Sequence, residues 1–160
     1  MTQSDLHIDS GGTHFWMQLH SGRKHWRFFD KDSHIDLYPI MSSDKFAVDV
    51  FNPDYKTHPL FARAKMYEAF QEPGDLMFIP ANCPHAVRNL DGIHALSMNY
   101  VDPSNYYDFL HSQLSDRNWR AFELFTSNDL ILGLNISQET IPFGEFKSKT
   151  WQRTADTSKA

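Results

Sequence analysis

The feature that most constrains this chain is the punctuation of its first hundred residues. Apolar runs of four to eight residues alternate with tight-turn signals, and no run is long enough for a core helix. Thr13–His20 is rich in aromatic and β-branched residues and reads as a strand. Ser21-Gly22-Arg23 forms a turn, and Lys24–Phe29 reads as the returning partner of a hairpin. Lys24, Trp26 and Phe28 then share one face of that strand, because strand side chains alternate with period 2. Further strands are expected at Phe46–Phe51, Lys65–Phe70, Leu76–Ile79, His85–Leu90 and Ile93–Val101. Pro59–Ala64 reads as one helical turn. Glu72-Pro73-Gly74-Asp75 is a tight turn, and Asp91-Gly92 reads as a hairpin turn. Many short strands at this spacing predict an all-β sandwich or barrel.

After Asp102-Pro103 the period changes. Ser104 reads as a helix N-cap. Tyr106, Phe109, Leu110 and Leu114 fall at helical spacing, and Trp119, Phe122 and Phe125 continue it, which predicts one or two amphipathic helices over 104–127. The organisation expected is a β core over 1–102, a helical extension over 103–150 and a disordered tail over 151–160.

Composition excludes some functions. A formal charge of −5 gives no electrostatic footprint for nucleic acid. The single cysteine, Cys83, rules out an internal disulfide and fits an intracellular, reducing compartment, whether cytoplasmic or nuclear. No apolar run has the length of a membrane span, and the first ten residues lack a signal-peptide core.

The chemistry-bearing pattern is His7-x-Asp9 with His85 far downstream. An H-x-D pair on a strand aims two ligands the same way, and a distant third closes a 2-His-1-carboxylate face, the arrangement that suits Fe(II) enzymes activating O2. On their own, His7 and Asp9 are better explained as a surface loop, and His85 as a hydrogen-bonded histidine. Zinc also accepts such ligands. A lone Lys24 on an aromatic strand ordinarily extends to solvent.

Context alters that balance. The stretches L-H-I-D-S-G-G-T, W-M-Q-L-H-S-G-R-K-H-W-R-F-F, F-N-P-D-Y, P-G-D-L-M-F-I-P-A-N-C-P-H-A-V-R-N-L and A-L-S-M-N-Y occur in that order over about residues 4–102. Together they resemble the JmjC branch of the cupin-type Fe(II)/2-oxoglutarate oxygenases, and its protein hydroxylases above all. The resemblance implies a double-stranded β-helix (jelly-roll) core with C-terminal helices. It implies that His7, Asp9 and His85 ligate Fe(II) and that Lys24 pairs with the distal carboxylate of 2-oxoglutarate. Ser4 stands where the family has a threonine hydroxyl reaching that carboxylate. Asn99 matches an asparagine near the cosubstrate, with Ser97 on the same strand face. Trp16 and Trp26 match aromatic residues of the core or pocket wall.

The implied activity is hydroxylation of a protein side chain, with Fe(II), 2-oxoglutarate and O2. Demethylation of N-methyl-lysine in histones is the alternative within the family, and C-P-H-A-V-R-N is its carrier. A metal-binding scaffold without turnover is the reading from another class. Three departures motivate it. Met17 replaces an asparagine of the pocket, Pro84 replaces a tryptophan before the distal histidine, and only six residues precede His7, so the first core strand is missing from the pattern. By resemblance again, the C-terminal helices pair two copies of the chain.

Overall fold

The computed structural model describes residues 2–118. These described residues form seven strands and one α-helix: β1 (Gln3–His7), β2 (His14–Ser21), β3 (Lys24–Phe29), β4 (Met66–Gln71), β5 (Leu76–Ile79), β6 (His85–Asn89), β7 (His94–Tyr100) and α1 (Tyr106–Ser115). The strands form two antiparallel sheets, one ordered β1-β6-β3-β4 and the other β5-β2-β7. Chain compactness divides at Tyr100, with β1 to β7 in one unit and α1 in the next.

The two sheets face each other. Trp26 and Val87 from the first pack with Ile79, Phe15, Met17 and Met77 from the second. Gln71, fully buried, ties the sheets with polar bonds. Its Oε1 accepts from Trp26 Nε1 at 3.0 Å, and its Nε2 donates to the carbonyls of Met17 and Asp75 at 2.9 and 3.2 Å. Every polar atom of that amide has a partner, which is what burial of an amide requires. A second core lies on the other face of the four-stranded sheet. There Leu6, Phe29 and Ala86 meet Leu37, Phe46, Val48, Val50 and Phe61 from the long connection between β3 and β4.

Three expectations change. Lys24–Phe29 is a strand, but it does not pair with β2: β2 lies between β5 and β7, and β3 between β6 and β4. Likewise Asp91-Gly92 carries the chain from β6 in one sheet to β7 in the other. Alternation with a tight link is the same signal for a hairpin and for a sheet-to-sheet crossing. What decides is that the aromatic faces of β2 and β3 bury against each other across the sandwich. The two crossing turns touch: Gly22 has φ +83°, and a Cβ there would lie 2.3 Å from the Gly92 carbonyl oxygen. Third, Phe46–Phe51 is not a strand. Phe46, Val48 and Val50 are buried with Ala47 and Asp49 between them exposed, as the alternation predicts, but the chain makes only isolated bridges, His7 with Lys45 and Pro39 with Phe46.

Pro59–Arg63 is a 3-10 turn, as expected. In the second unit, α1 buries Tyr106 and Leu110 at i, i+4 spacing. Its N-cap is Asn105, one residue after the expected Ser104. Asn105 Oδ1 accepts from the Asp102 N–H, and Ser104 Oγ donates to Asp102 Oδ1. Trp119, Phe122, Phe125 and the 151–160 tail lie outside the described residues.

Candidate metal centre

The first histidine ends β1 and the second begins β6. The ladder pairs His7 directly with His85, so the two rings share a face, 4.4 Å between centroids. A register shift between Ser4 and His7 has a consequence for the face. Ser4 and His7 are an odd number of residues apart and would point to opposite sides of a regular strand. The irregularity sets Ser4 opposite Val87 and His7 opposite His85, and Val87 and His85 both face the second sheet.

Both imidazoles are oriented by the backbone. His7 Nδ1 is 2.7 Å from the Asp5 carbonyl, and His85 Nδ1 is 2.9 Å from the Cys83 carbonyl. A carbonyl only accepts, so each Nδ1 carries the proton and each Nε2 presents its lone pair. Asp9 follows β1, with Oδ1 3.8 Å from His7 Nε2. One ligand atom from each of His7, Asp9 and His85 lies within 4.8 Å of the others. Ligands bonded at about 2.0–2.2 Å sit roughly 3–3.5 Å apart, so modest side-chain rotation closes the set on one ion.

The donor chemistry fits a divalent metal. Asp9 Oδ2 is buried and, among the described residues, has no hydrogen-bond partner. A buried orphan carboxylate oxygen is costly unless a cation takes it. His85 is buried at 3% exposure, which pushes its pKa below the ordinary imidazole value; the neighbouring His7 adds to this, while the Cys83 carbonyl and Asp9 oppose it. It is therefore held neutral, the form that ligates. His7 and Asp9 keep side-chain exposures of 28% and 18%, so the cluster has an open side.

Behind the cluster, β3 runs Phe28, Trp26, Lys24 opposite His85, Val87 and Asn89. The Trp26 ring lies 6.1 Å from that of His85, stacks on Phe28 at 5.7 Å, and is 5.9 Å from Lys24 Nζ. Lys24 is buried at 5% exposure, in contrast to the outward course usual for a lone lysine. Its Nζ donates to Asn89 Oδ1 at 2.8 Å, and burial pushes its pKa below the ordinary lysine value. An ammonium has three donors, so Asn89 leaves capacity for an anion. Along this face Trp26 thus stands between the three candidate ligands and a buried cation.

Ser97 and Asn99 stand on β7 opposite Met17 and Phe15, residues that pack into the space between the sheets. Both are exposed, and Asn99 Nδ2 donates to Thr13 Oγ1 at 3.0 Å. Ser4 is exposed on the same side as His7. Trp16 does not line the site. It pairs with Phe78 and Met98 on the far face of the three-stranded sheet. Sequence reasoning missed Asn89 and Gln71, which flank Lys24 on β6 and β4. Asn89 was detectable, because it lies four residues after His85 and so shares its face. Gln71 was not, since nothing local marks which polar residue will bridge two sheets.

Comparison with known proteins agrees with this architecture. Residues 1–106 match the profile of the family described as Cupin-like domain. HSPB1-associated protein 1 homolog of Danio rerio is 35% identical over 101 residues, covering 60% of this chain and 22% of that protein. tRNA wybutosine-synthesizing protein 5 of Gallus gallus is 49% identical over 73 residues, 44% of this chain and 23% of the relative. The 2-oxoglutarate and iron-dependent oxygenase JMJD4 of Mus musculus is 29% identical over 118 residues, 69% of this chain and 26% of the relative. The chain thus spans about a quarter or less of the length of these curated relatives. With its double-sheet core and the profile match over most of its described length, the chain belongs to the cupin-like family, in the JmjC-type branch that includes 2-oxoglutarate oxygenases.

Proposed function

We propose that this chain carries the centre of an Fe(II)- and 2-oxoglutarate-dependent dioxygenase that hydroxylates a protein side chain. The observation that carries the reading is the pairing of two features on one sheet face. His7, Asp9 and His85 converge with an orphaned carboxylate oxygen, and Lys24 is buried behind them. When bound, Fe(II) with 2-oxoglutarate supplies the activation of O2 and the oxidation of a C–H bond. The chain's own residues do the rest. His7, Asp9 and His85 would hold the metal. Lys24 would form a charge-assisted hydrogen bond with the distal carboxylate. Trp26 and Phe28 would form an apolar wall that keeps water from one side of the cosubstrate, with Ser4, Ser97 and Asn99 at its margin.

The test is anaerobic titration of the chain with Fe(II) and then 2-oxoglutarate. The expected result is a weak visible charge-transfer band that needs both additions, followed by succinate on admission of O2. A chain that binds Fe(II) but gives no band and no succinate would leave only a metal-binding scaffold. Hydroxylation adds one oxygen to a peptide, whereas lysine demethylation removes a methyl group as formaldehyde, so mass spectrometry of peptide pools separates those two.

A second reading takes a nucleoside in tRNA as the substrate. It is supported by the 49% identity to a relative named for wybutosine synthesis in tRNA. Incubation with tRNA in place of peptides, with succinate as the readout, decides between the two.

A further inference from the structure

We propose that Lys45 is a substrate-positioning residue whose ammonium takes a carboxylate of an acidic peptide and holds the neighbouring residue over the metal. The inference rests on the oxygenase reading above and adds a substrate class to it.

The argument starts from the ladder. Lys45 is paired antiparallel with His7. The flanking bonds are Ile8 N–H to the Asp44 carbonyl at 2.8 Å and Phe46 N–H to the Leu6 carbonyl at 3.1 Å. His7 and Lys45 therefore exchange no bond themselves and form the close kind of antiparallel pair, with Cα atoms about 4.5 Å apart and side chains on one face. The row across the sheet reads Lys45, His7, His85, Phe28, Tyr67. One end of the metal row is thus a cation and the other an aromatic ring.

Several cations near this sheet are already engaged. Lys24 is buried and bonded to Asn89, Arg27 is engaged by Glu68, and Lys65 by Asp30. Lys45 is exposed, and among the described residues its Nζ has no acceptor; its backbone N–H donates to Ser43 Oγ and its carbonyl accepts from the Ile40 N–H. Asp44 is its neighbour in sequence and so points to the other side of the strand. A single ammonium on a chain of formal charge −5 matches one carboxylate. A phosphate backbone is met by several cations acting together. The four-carbon stem of lysine lets the charge reach over the open side of the cluster.

The experiment uses the full chain loaded with Mn(II) and saturated with 2-oxoglutarate, with loading read from loss of the free Mn(II) electron-spin signal. The probes are acetyl-aspartate amide, its asparagine counterpart and methyl phosphate, and the readout is paramagnetic broadening of each probe's protons. The expected result is saturable broadening of the aspartate probe, about fivefold weaker in Lys45→Ala, restored in Lys45→Arg and absent for the asparagine probe. Equal broadening in Lys45→Ala, or of the neutral probe, would overturn the role of Lys45 while leaving the oxygenase reading intact. A Lys45-dependent preference for methyl phosphate would overturn the peptide assignment in favour of the tRNA reading. Failure to take up Mn(II) at all would sink the oxygenase reading and this inference with it.

Discussion

Asp9 and Lys24 each stand in surroundings that cost stability in the empty protein. Among the described residues Asp9 Oδ2 is buried without a partner, so Asp9→Asn should leave the metal-free chain as stable as before, or up to about 1 kcal/mol more stable. The same change should weaken metal binding by at least about 100-fold, since even outer-shell partners are worth 10- to 100-fold. Thermal unfolding with and without Mn(II) checks both halves. Lys24 is buried beside an aromatic ring with its pKa held down by desolvation, so Lys24→Met should keep or raise the melting temperature. Affinity for 2-oxoglutarate should fall more than tenfold, on the order of a charge-assisted bond, which the charge-transfer titration reads. For His85 the folded pKa lies below the unfolded value near 6.5, so in acid the unfolded chain binds the proton that the folded site refuses. The contribution of His85 to the stability of the metal-free protein is therefore fully present above about pH 6.5 and is lost as the pH falls through the lower folded value. Urea unfolding should show lower stability at about pH 5.5 than at about pH 7.5, and the difference should shrink in His85→Gln.

At the scale of elements, the site depends on strands that are neighbours in sequence and apart in space. β2 and β3 join through Gly22, and β6 and β7 through Gly92, and these two turns meet backbone to backbone. Gly22→Ala would combine a left-handed φ with a Cβ 2.3 Å from a carbonyl oxygen. The loss should be roughly 2 kcal/mol or more, whereas Gly92→Ala, with open space around its Cβ, should cost little by contact. Chemical denaturation of the two variants makes the comparison. The limits of β5 were legible from Leu76–Ile79 alone, bounded as they are by Asp75 and Pro80. The pairing of β2 was not, because alternation reports which face of a strand is apolar and is silent on which strand lies beside it.

Among the described residues of the first unit, the four-stranded sheet is covered on both faces and the three-stranded sheet on one. The four-stranded sheet has a core on each side. The outer face of the three-stranded sheet presents Leu76, Phe78, Leu96 and Met98 at 48–65% exposure, in register around Trp16 and Gln18. An apolar patch of that kind binds hydrophobic dyes. The double variant Phe78→Ser, Met98→Ser should cut dye fluorescence severalfold and leave metal uptake unchanged, because these side chains face away from His7 and His85. Equal fluorescence in the variant would place the dye elsewhere.

The order of short apolar runs and turns determined an all-β sandwich or barrel, since half-apolar strands of four to eight residues must bury one face against another. Spacing paired His7 with Asp9, because alternation along one strand is a local property, whereas Lys24 was singled out by the family resemblance. Only the tertiary structure decided that His85 stands opposite His7, that a register irregularity turns Ser4 onto the same face, and that Asn89 and Gln71 flank the lysine. Those are facts of pairing between segments as far apart in sequence as Gln3 and Arg88. Pairing is set by how whole sheets pack, which no single stretch of sequence encodes.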